Sequence, residues 1–194
     1  MFTRKHAIAA FAVLAGLALA GAAGAADNGR TYDLGTPVTH ETIAKWDIDV
    51  PPSGKGLPEG SGSVAQGREV YAKNCASCHG EKGEGGPMNR LVGGRGTLAS
   101  DSPVKTVGSY WPDATTVFDY VHRAMPFTAP ESLSAHQVYA VTAYLLHLNG
   151  IVPADATLDR ESLPEVKMPN RDGFVSPDPR PDTDNTACME DCGD

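Results

Sequence analysis

The chain has 194 residues, of which 16 are lysine or arginine and 24 are aspartate or glutamate, so its net charge at pH 7 is −8. This acidic balance argues against a nucleic-acid ligand and against an anionic membrane surface, and it suits docking to a positively charged protein. The 21 glycines and 15 prolines indicate much irregular backbone, and the length suits one domain with long extensions.

The first 26 residues have the pattern of a secretory signal peptide. Arg4 and Lys5 form a positive start, an uncharged apolar run covers residues 7–20, and the small residues at 23–25 suit cleavage. The alternative is an uncleaved membrane anchor, for which this apolar run is short. We therefore expect a mature chain that is exported to a bacterial periplasm and has no membrane span.

Residues 27–62 form a predicted N-terminal extension ahead of the main helices. Thr39 is placed to cap a short helix that runs through Ala44. The stretch from Pro51 to Gly62 is predicted to be loop because it is rich in proline and glycine.

The first long helix is predicted to follow this loop and to end near Asn74. Ser63 and Gln66 have the spacing of a capping box, in which each side chain binds the backbone of the other residue. Gly67 and Tyr71 are four residues apart, so they share one face of this helix.

The sequence NCASCHG, directly after this helix, holds two thiols and an imidazole in five residues. Such a cluster could attach a c-type haem, contribute to a zinc site or form a redox-active pair of cysteines. Export disfavours a zinc site with free thiols, and a redox pair is typical of a βαβ context that is not visible here. The pattern therefore predicts thioether bonds from Cys75 and Cys78 to a haem, with His79 as the proximal iron ligand.

Two further helices are predicted, one over residues 115–124 and one that begins at Ser134, where Gln137 completes a capping box, and stops at Gly150. Apolar residues at helical spacing indicate both helices: Val117, Phe118, Val121 and Ala124 in the second, and Val138, Val141, Leu145 and Leu148 in the third. No strand is predicted between the first and the last helix. Residues 63–150 are therefore the expected haem domain, and the fold class is mostly α.

Three stretches in chain order, QGREVYAKNCASCHG, RAMPF and LSAHQVYAVTAYLLHLN, resemble a class I cytochrome c. The resemblance implies three main helices around one covalently bound haem c, with the first and last helices crossing near it. It also implies that Gly67 allows a close crossing and that Tyr71 packs against Tyr144 or Leu145. The carbonyl of Pro87 is then expected to accept the ring proton of the proximal histidine; the alternative is that Pro87 is only a turn residue.

The second axial ligand in electron-transfer cytochromes is usually methionine, and histidine–methionine ligation raises the reduction potential. The resemblance places the distal loop between the second and third helices, where Met125 precedes a proline that would stiffen the loop. Met125 is the predicted ligand, although a methionine near a helix end is otherwise usually core filler. Met168 is the main competitor, and Met88 is expected to lie too close to the proximal histidine. The histidines of the helices are expected on solvated faces: His122, His136 and His147.

Four further residues are candidates for contacts with a haem. Trp111 is predicted to wall the pocket or to bind a propionate, and Tyr110 is a second candidate for either role. Arg95 or Arg123 could neutralise a propionate. For each of the four, the alternative is ordinary packing or a surface charge.

Residues 151–194 form a predicted C-terminal extension that ends in a cysteine-containing tail. Residues 177–181 are rich in proline and indicate an extended linker. Cys188 and Cys192 are the only cysteines outside the NCASCHG motif, and free thiols are rare in an oxidising compartment. Their spacing predicts an intramolecular disulfide that shapes a local hook; the alternative is an incidental bond in a disordered tail. No histidine follows Cys192, so a second haem is not expected there.

The stretches PVKTVGSYWPDATTVFDYVHRAMPF and LDRESLPEVKMPNRDGF are similar to the cytochrome subunits of periplasmic sulfur-compound dehydrogenases. These are the cytochrome subunit of the Sox sulfane dehydrogenase and the cytochromes paired with molybdenum sulfite dehydrogenases. Some Sox cytochrome subunits carry two haems, whereas this chain has a single Cys-x-x-Cys-His motif. It therefore matches only a monohaem form.

This resemblance implies an electron-transfer protein, or a subunit of an oxidoreductase complex, rather than an enzyme. A molybdenum-cofactor oxidoreductase subunit that oxidises sulfite or sulfane sulfur is the expected electron donor, and another cytochrome or an oxidase is the expected acceptor. The alternative is a haem enzyme or ligand sensor with an open iron site, against which the Met-Pro-Phe sequence argues.

Overall fold

The computed structural model describes residues 35–174. The predicted signal peptide and the cysteine pair of the tail, Cys188 and Cys192, lie outside these residues. Within them, no helix is long and apolar enough to cross a bilayer.

Residues 35–42 belong to one compact unit and residues 43–174 to a second. In the first unit the Thr39 hydroxyl oxygen accepts a hydrogen bond from the Thr42 amide at 3.2 Å. This contact begins the short helix α1, His40–Ala44, and confirms the predicted cap and the predicted end of the helix.

Four more α-helices lie in the second unit: α2 (Val64–Asn74), α3 (Ala76–His79), α4 (Ala114–Ala124) and α5 (Ala135–Leu148). A short 3-10 helix covers Leu163–Glu165. The three long helices have the bounds that the sequence predicts to within a residue or two, so the prediction of a mostly α fold is confirmed.

Both predicted capping boxes are present. The Ser63 hydroxyl accepts from the Gln66 amide, while the Gln66 side chain accepts from the Ser63 amide at 2.9 Å. The Ser134 hydroxyl and the Gln137 side chain make the same exchange at the start of α5. Each box satisfies amides that a helix start otherwise leaves without a partner.

Helices α2 and α5 cross in close contact at Gly67. A Cβ atom at this position would lie 1.9 Å from the Ala140 carbonyl oxygen and 2.7 Å from the Tyr144 Cβ atom, so only glycine fits. One turn further along α2, the ring of Tyr71 packs against that of Tyr144, with 5.4 Å between the centroids. The expectations of a close crossing at Gly67 and of a Tyr71–Tyr144 contact are confirmed.

A two-stranded antiparallel sheet joins the segments on either side of the helices. Strand β1 (Ser61–Ser63) pairs with β2 (Thr157–Asp159), and Gly62 is opposite Leu158. Neither strand was predicted, because three residues are too few to show the alternation of a strand. Apolar side chains from both flanking segments are buried in the same core as the helices: Val50, Leu57, Leu158, Leu163 and Met168.

Asp119, on α4, connects the N-terminal flanking segment to the helices. One of its carboxylate oxygens accepts from the Val50 amide at 2.7 Å and from the Arg123 Nε atom at 2.8 Å. The other oxygen pairs with the Arg123 Nη2 atom at 2.5 Å. Burial opposes ionisation of this carboxyl group, but the bonds from Arg123 and Val50 outweigh burial and hold its pKa below its ordinary value.

We expect Asp119→Asn to lower the free energy of unfolding by about 1–2 kcal/mol at pH 7, because it removes the charge from these hydrogen bonds. The folded pKa lies below the unfolded one, so the stabilisation is complete above the unfolded pKa of about 3.9 and is lost as the pH falls through the folded pKa. Urea unfolding of wild type and variant should therefore differ at pH 7, and the difference should shrink progressively as the pH falls below about 4. Asp155→Asn, at an exposed site, is the control and should change little at either pH. A constant difference across this range would contradict the assignment.

Candidate cofactor site

The Cys-x-x-Cys-His motif lies where α2 gives way to α3. The Cys75 amide still donates to the Tyr71 carbonyl at 2.8 Å, and the Cys75 carbonyl accepts from Cys78 and His79 at 3.1 and 3.0 Å. This single turn brings two sulfurs and one imidazole to neighbouring positions, three and four residues apart. Cys75 is half-buried, Cys78 is exposed, and neither forms a disulfide.

The Cys75 thiol is not poised as a thiolate. Burial raises its pKa to about 11, and the neighbouring Cys78 adds to the shift. Redox-active cysteine pairs and thiolate ligands depend on a lowered pKa. A zinc site would need several such ligands, and residues 35–174 contain no group of three or more histidine, cysteine, aspartate or glutamate side chains that could hold a metal ion. The environment of Cys75 is therefore unlike that of a redox pair.

The imidazole of His79 is oriented by a backbone carbonyl. Its Nδ1 atom lies 2.7 Å from the carbonyl oxygen of Asn89. Because a carbonyl only accepts hydrogen bonds, Nδ1 must carry the proton, and the lone pair of the neutral ring is then on Nε2. This is the arrangement that a histidine needs in order to bind iron.

The acceptor for His79 is Asn89 and not Pro87, so the expectation for Pro87 is wrong. The Met88 amide donates to the Cys78 carbonyl at 3.0 Å, and the Gly85 amide donates to the His79 carbonyl at 2.8 Å. These bonds close the loop so that the residue after Met88 reaches the imidazole. Pro87 is an exposed residue of this turn, which agrees with the alternative that Pro87 is only a turn residue.

The side chain of Tyr71 also binds this loop through a hydrogen bond. Its ring is 1% exposed, and its hydroxyl donates to the Gly80 carbonyl at 2.8 Å. Burial, with smaller contributions from Cys75 and Glu84, raises the pKa of Tyr71 to about 12. The phenol therefore stays protonated and remains a donor throughout the ordinary pH range. No sequence signal pointed to this bond.

The three methionine candidates have different surroundings. Met125 directly follows α4, where its amide donates to the Val121 carbonyl at 3.1 Å, and its half-buried side chain packs against the core on one side. Met168 is only 3% exposed, so its side chain would have to leave the core before its thioether could bind the iron of a haem. Met88 is 52% exposed and lies in the loop that closes on His79. These surroundings favour Met125, whose role as distal ligand stays a prediction.

Trp111 is half-buried beside an exposed tyrosine. Its ring meets that of Tyr120 edge-on, with 5.6 Å between the centroids. Tyr110 instead contacts Phe174 at 5.2 Å between centroids and has the Lys105 ammonium 4.9 Å above its ring. Trp111 therefore remains a candidate for the wall of a pocket, whereas Tyr110 has other partners.

The two arginine candidates for a propionate also have other partners. Arg123 is held by Asp119, and the Arg95 Nη2 atom donates to the Asn149 carbonyl at 3.1 Å. The spacing of four residues between Asp119 and Arg123 could have indicated the first pair, whereas the partner of Arg95 is 54 residues away and no local pattern points to it.

Only one of the three helical histidines matches the expected solvated face. His136 is exposed, although its Nδ1 atom lies 2.9 Å from the Ser61 carbonyl oxygen. His147 is half-buried, with Nδ1 3.2 Å from the Val152 carbonyl oxygen. His122 is half-buried as well, and its Nδ1 atom is buried without a hydrogen-bond partner.

The residues present fit a c-type haem. Cys75 and Cys78 offer thiols for its two vinyl groups, and the tautomer of His79 leaves a nitrogen lone pair for iron. Leu91, Trp111 and Met125 are apolar, pack against the core and yet stay partly exposed. Apolar side chains in such a position are typical of the wall of a site for an apolar cofactor.

Residues 64–149 match the protein family described as Cytochrome c, over the stretch that holds the motif and the three long helices. The chain belongs to the cytochrome c family, whose members carry covalently bound haem c, and its fold is that of a class I cytochrome c. Among solved structures, it is similar to a chain of the sulfane dehydrogenase SoxCD from Paracoccus pantotrophus. The two chains are 46% identical with a TM-score of 0.72, and the match covers 84% of this chain and 82% of that one. A comparison with curated protein sequences gave no match.

Proposed function

We propose that this chain is a periplasmic monohaem cytochrome that transfers single electrons. It would serve as the electron-accepting subunit or partner of a molybdenum-dependent dehydrogenase that oxidises sulfite or sulfane sulfur. The likeness to a SoxCD chain supports this proposal most, because it extends over 84% of the chain and thus includes segments outside the shared haem-binding core.

The proposal assigns a role to each residue of the site. Cys75 and Cys78 would hold the haem by thioether bonds, His79 would be the proximal ligand, Met125 the distal ligand and Trp111 part of the wall. When bound, haem c supplies a carrier of one electron. The Asn89 carbonyl retains the proton on Nδ1 of His79 and so fixes which ring nitrogen is free. The single Cys-x-x-Cys-His motif supports one haem per chain.

Reduction of the purified cytochrome by its donor tests this function. Oxidised holoprotein is mixed with a molybdenum-containing sulfite or sulfane dehydrogenase, and the reduced haem spectrum is followed after sulfite or a sulfane-sulfur substrate is added. We expect reduction only when both dehydrogenase and substrate are present. Mixtures that lack either one are the controls. No reduction with either substrate class, by a cytochrome that a small chemical reductant does reduce, would overturn the proposal.

Electrostatic docking should make this reduction sensitive to salt. Without Arg4 and Lys5 of the predicted signal peptide, the chain has 14 basic against 24 acidic residues, a net charge near −10. Redox partners form small, fast contacts that charge steers. The second-order rate constant should therefore fall at least about threefold between low salt and about 0.15 M ionic strength, where charges are screened beyond about 8 Å. Reduction by an uncharged small molecule is the control and should not change. A flat or rising rate would indicate an apolar contact instead.

Two predictions that are relevant to this proposal concern residues outside 35–174 and stay predictions. One is export with cleavage near residue 26, which the periplasmic location in this proposal requires. The other is the disulfide between Cys188 and Cys192, on which nothing in the electron-transfer function depends.

A further inference from the structure

The side chain of Asn149, at the end of α5, reaches across to the loop that follows the haem-binding motif. Its Nδ2 atom donates to the Leu91 carbonyl at 3.2 Å and to the Leu145 carbonyl at 2.9 Å. Its Oδ1 atom accepts from the Gly93 amide at 3.2 Å. An asparagine amide has two N–H groups and two oxygen lone pairs, so three of its four positions are used. Two of these three bonds go to residues 91–93.

The same short segment is held from its other side. The Leu91 amide donates to the Gly83 carbonyl at 2.8 Å, and the Thr106 hydroxyl donates to the Gly93 carbonyl at 2.6 Å. Residues 91–93 are thus clamped between α5, the loop of residues 80–86 and the segment that leads to α4. Asn149 is the member of this clamp that connects it to a long, buried helix.

The side-chain amide of Asn149 packs directly against Gly108. A Cβ atom at Gly108 would lie 2.2 Å from the Asn149 Oδ1 atom and 2.6 Å from its Cγ atom. Any larger residue at position 108 would therefore displace the Asn149 side chain. Close packing of this kind leaves the amide a single orientation.

The clamped segment begins two residues after the carbonyl that orients His79. Because Asn89 is exposed, its carbonyl depends on the neighbouring chain for its position. We propose that Asn149 is a positioning residue for the proximal ligand: by fixing residues 91–93, it holds the Asn89 carbonyl against Nδ1 of His79. This inference rests on the proposed function, in which His79 binds the haem iron.

Loss of this positioning has a specific effect on the imidazole. A hydrogen bond from Nδ1–H to a carbonyl raises the basicity of the ring and strengthens its donation to iron. Stronger donation favours the oxidised iron, so a loosened bond should raise the reduction potential. It should also let the Nδ1 proton exchange with water more readily, because exchange requires the bond to open.

The test compares Asn149→Ala and Asn149→Asp in the intact holoprotein. NMR of ¹⁵N-histidine-labelled protein gives the exchange rate of the His79 Nδ1 proton, and a redox titration gives the midpoint potential. In Asn149→Ala we expect exchange to be about five- to tenfold faster, as for the loss of about one hydrogen bond, and the potential to rise. Asn149→Asp keeps an acceptor for the Gly93 amide but turns a second acceptor oxygen toward the Leu91 and Leu145 carbonyl oxygens, so it should change exchange and potential at least as much as the alanine variant. If the alanine variant does not fold, the aspartate variant carries the test alone.

Two controls separate positioning from general destabilisation. Asp119→Asn should lower stability elsewhere in the fold and leave exchange and potential as in wild type. Glu69→Ala, at an exposed residue of α2 with no role in the site, should behave like wild type in both measurements. If the Asn149 variants lower only the unfolding midpoint, as Asp119→Asn does, the inference is wrong and Asn149 is simply a helix cap. If wild-type spectra show no iron-shifted His79 ring resonances, the proposed ligation itself fails, and the inference with it.

Discussion

Replacing Gly67 with alanine is expected to destabilise the protein by about 3 kcal/mol or more, at the upper end of what overpacking costs. The new methyl group would lie 1.9 Å from the Ala140 carbonyl oxygen, so α2 and α5 would have to separate. The sign is diagnostic, because glycine to alanine within a helix normally stabilises by roughly 0.5–1 kcal/mol. Urea unfolding of the holoprotein measures the difference.

Glu69→Ala is the matched control for this substitution. Glu69 lies on the same helix, two residues away, at an exposed position. Surface changes of this kind stay within about 0.5 kcal/mol. An unfolding free energy for Gly67→Ala equal to or above that of wild type would show that the two helices do not need their close crossing.

Replacing Met125 with alanine is expected to remove the weak red absorption band that marks an iron–methionine bond, and to lower the reduction potential, because methionine ligation raises it. The vacated axial position should then accept carbon monoxide in the reduced state, which the wild-type protein should not do. Visible spectra with and without carbon monoxide, together with a redox titration, measure all three changes. A wild-type protein that already binds carbon monoxide would favour a haem enzyme or ligand sensor.

Two other methionines provide controls of opposite kinds. Met88→Ala, at a side chain that is 52% exposed, should change neither the band nor stability. Met168→Ala should cost about 2–5 kcal/mol, as for other large-to-small changes in a core, because the side chain is 3% exposed, yet it should keep the band. If Met168→Ala loses the band and Met125→Ala keeps it, the assignment of the distal ligand is reversed.

Local rules were enough to predict the helices and their starts. The capping boxes at Ser63 and Ser134 depend on residues three apart, and the apolar spacing of each helix lies within one window of sequence. The order of the motif residues likewise indicated where two thiols and an imidazole would meet. The small size of Gly67 and its place on the same helix face as Tyr71 were also visible, so the helix crossing could be expected from the resemblance.

The contacts that orient the site depend on distant parts of the chain and were beyond such rules. Whether Pro87 or Asn89 faces His79 is decided by how the loop closes on the Cys78 carbonyl, which no periodicity encodes. The bonds of Asn149 span 56 and 58 residues, and the bond from Val50 to Asp119 spans 69. The sheet was not predicted for a related reason: each of its short strands can be recognised only from its pairing with the other strand.

The pairing of β1 with β2 also determines which part of the chain folds as one cooperative unit. These strands close the chain around all the long helices, and the segments beyond them supply Val50, Leu57 and Met168 to the shared core. A fragment trimmed to residues 64–149 would lack both strands and these three side chains, and their removal would expose apolar surface on the remaining core. The minimal autonomous folding unit is therefore longer than the stretch that the cytochrome c family has in common, and the flanking segments are structural members of it rather than appendages.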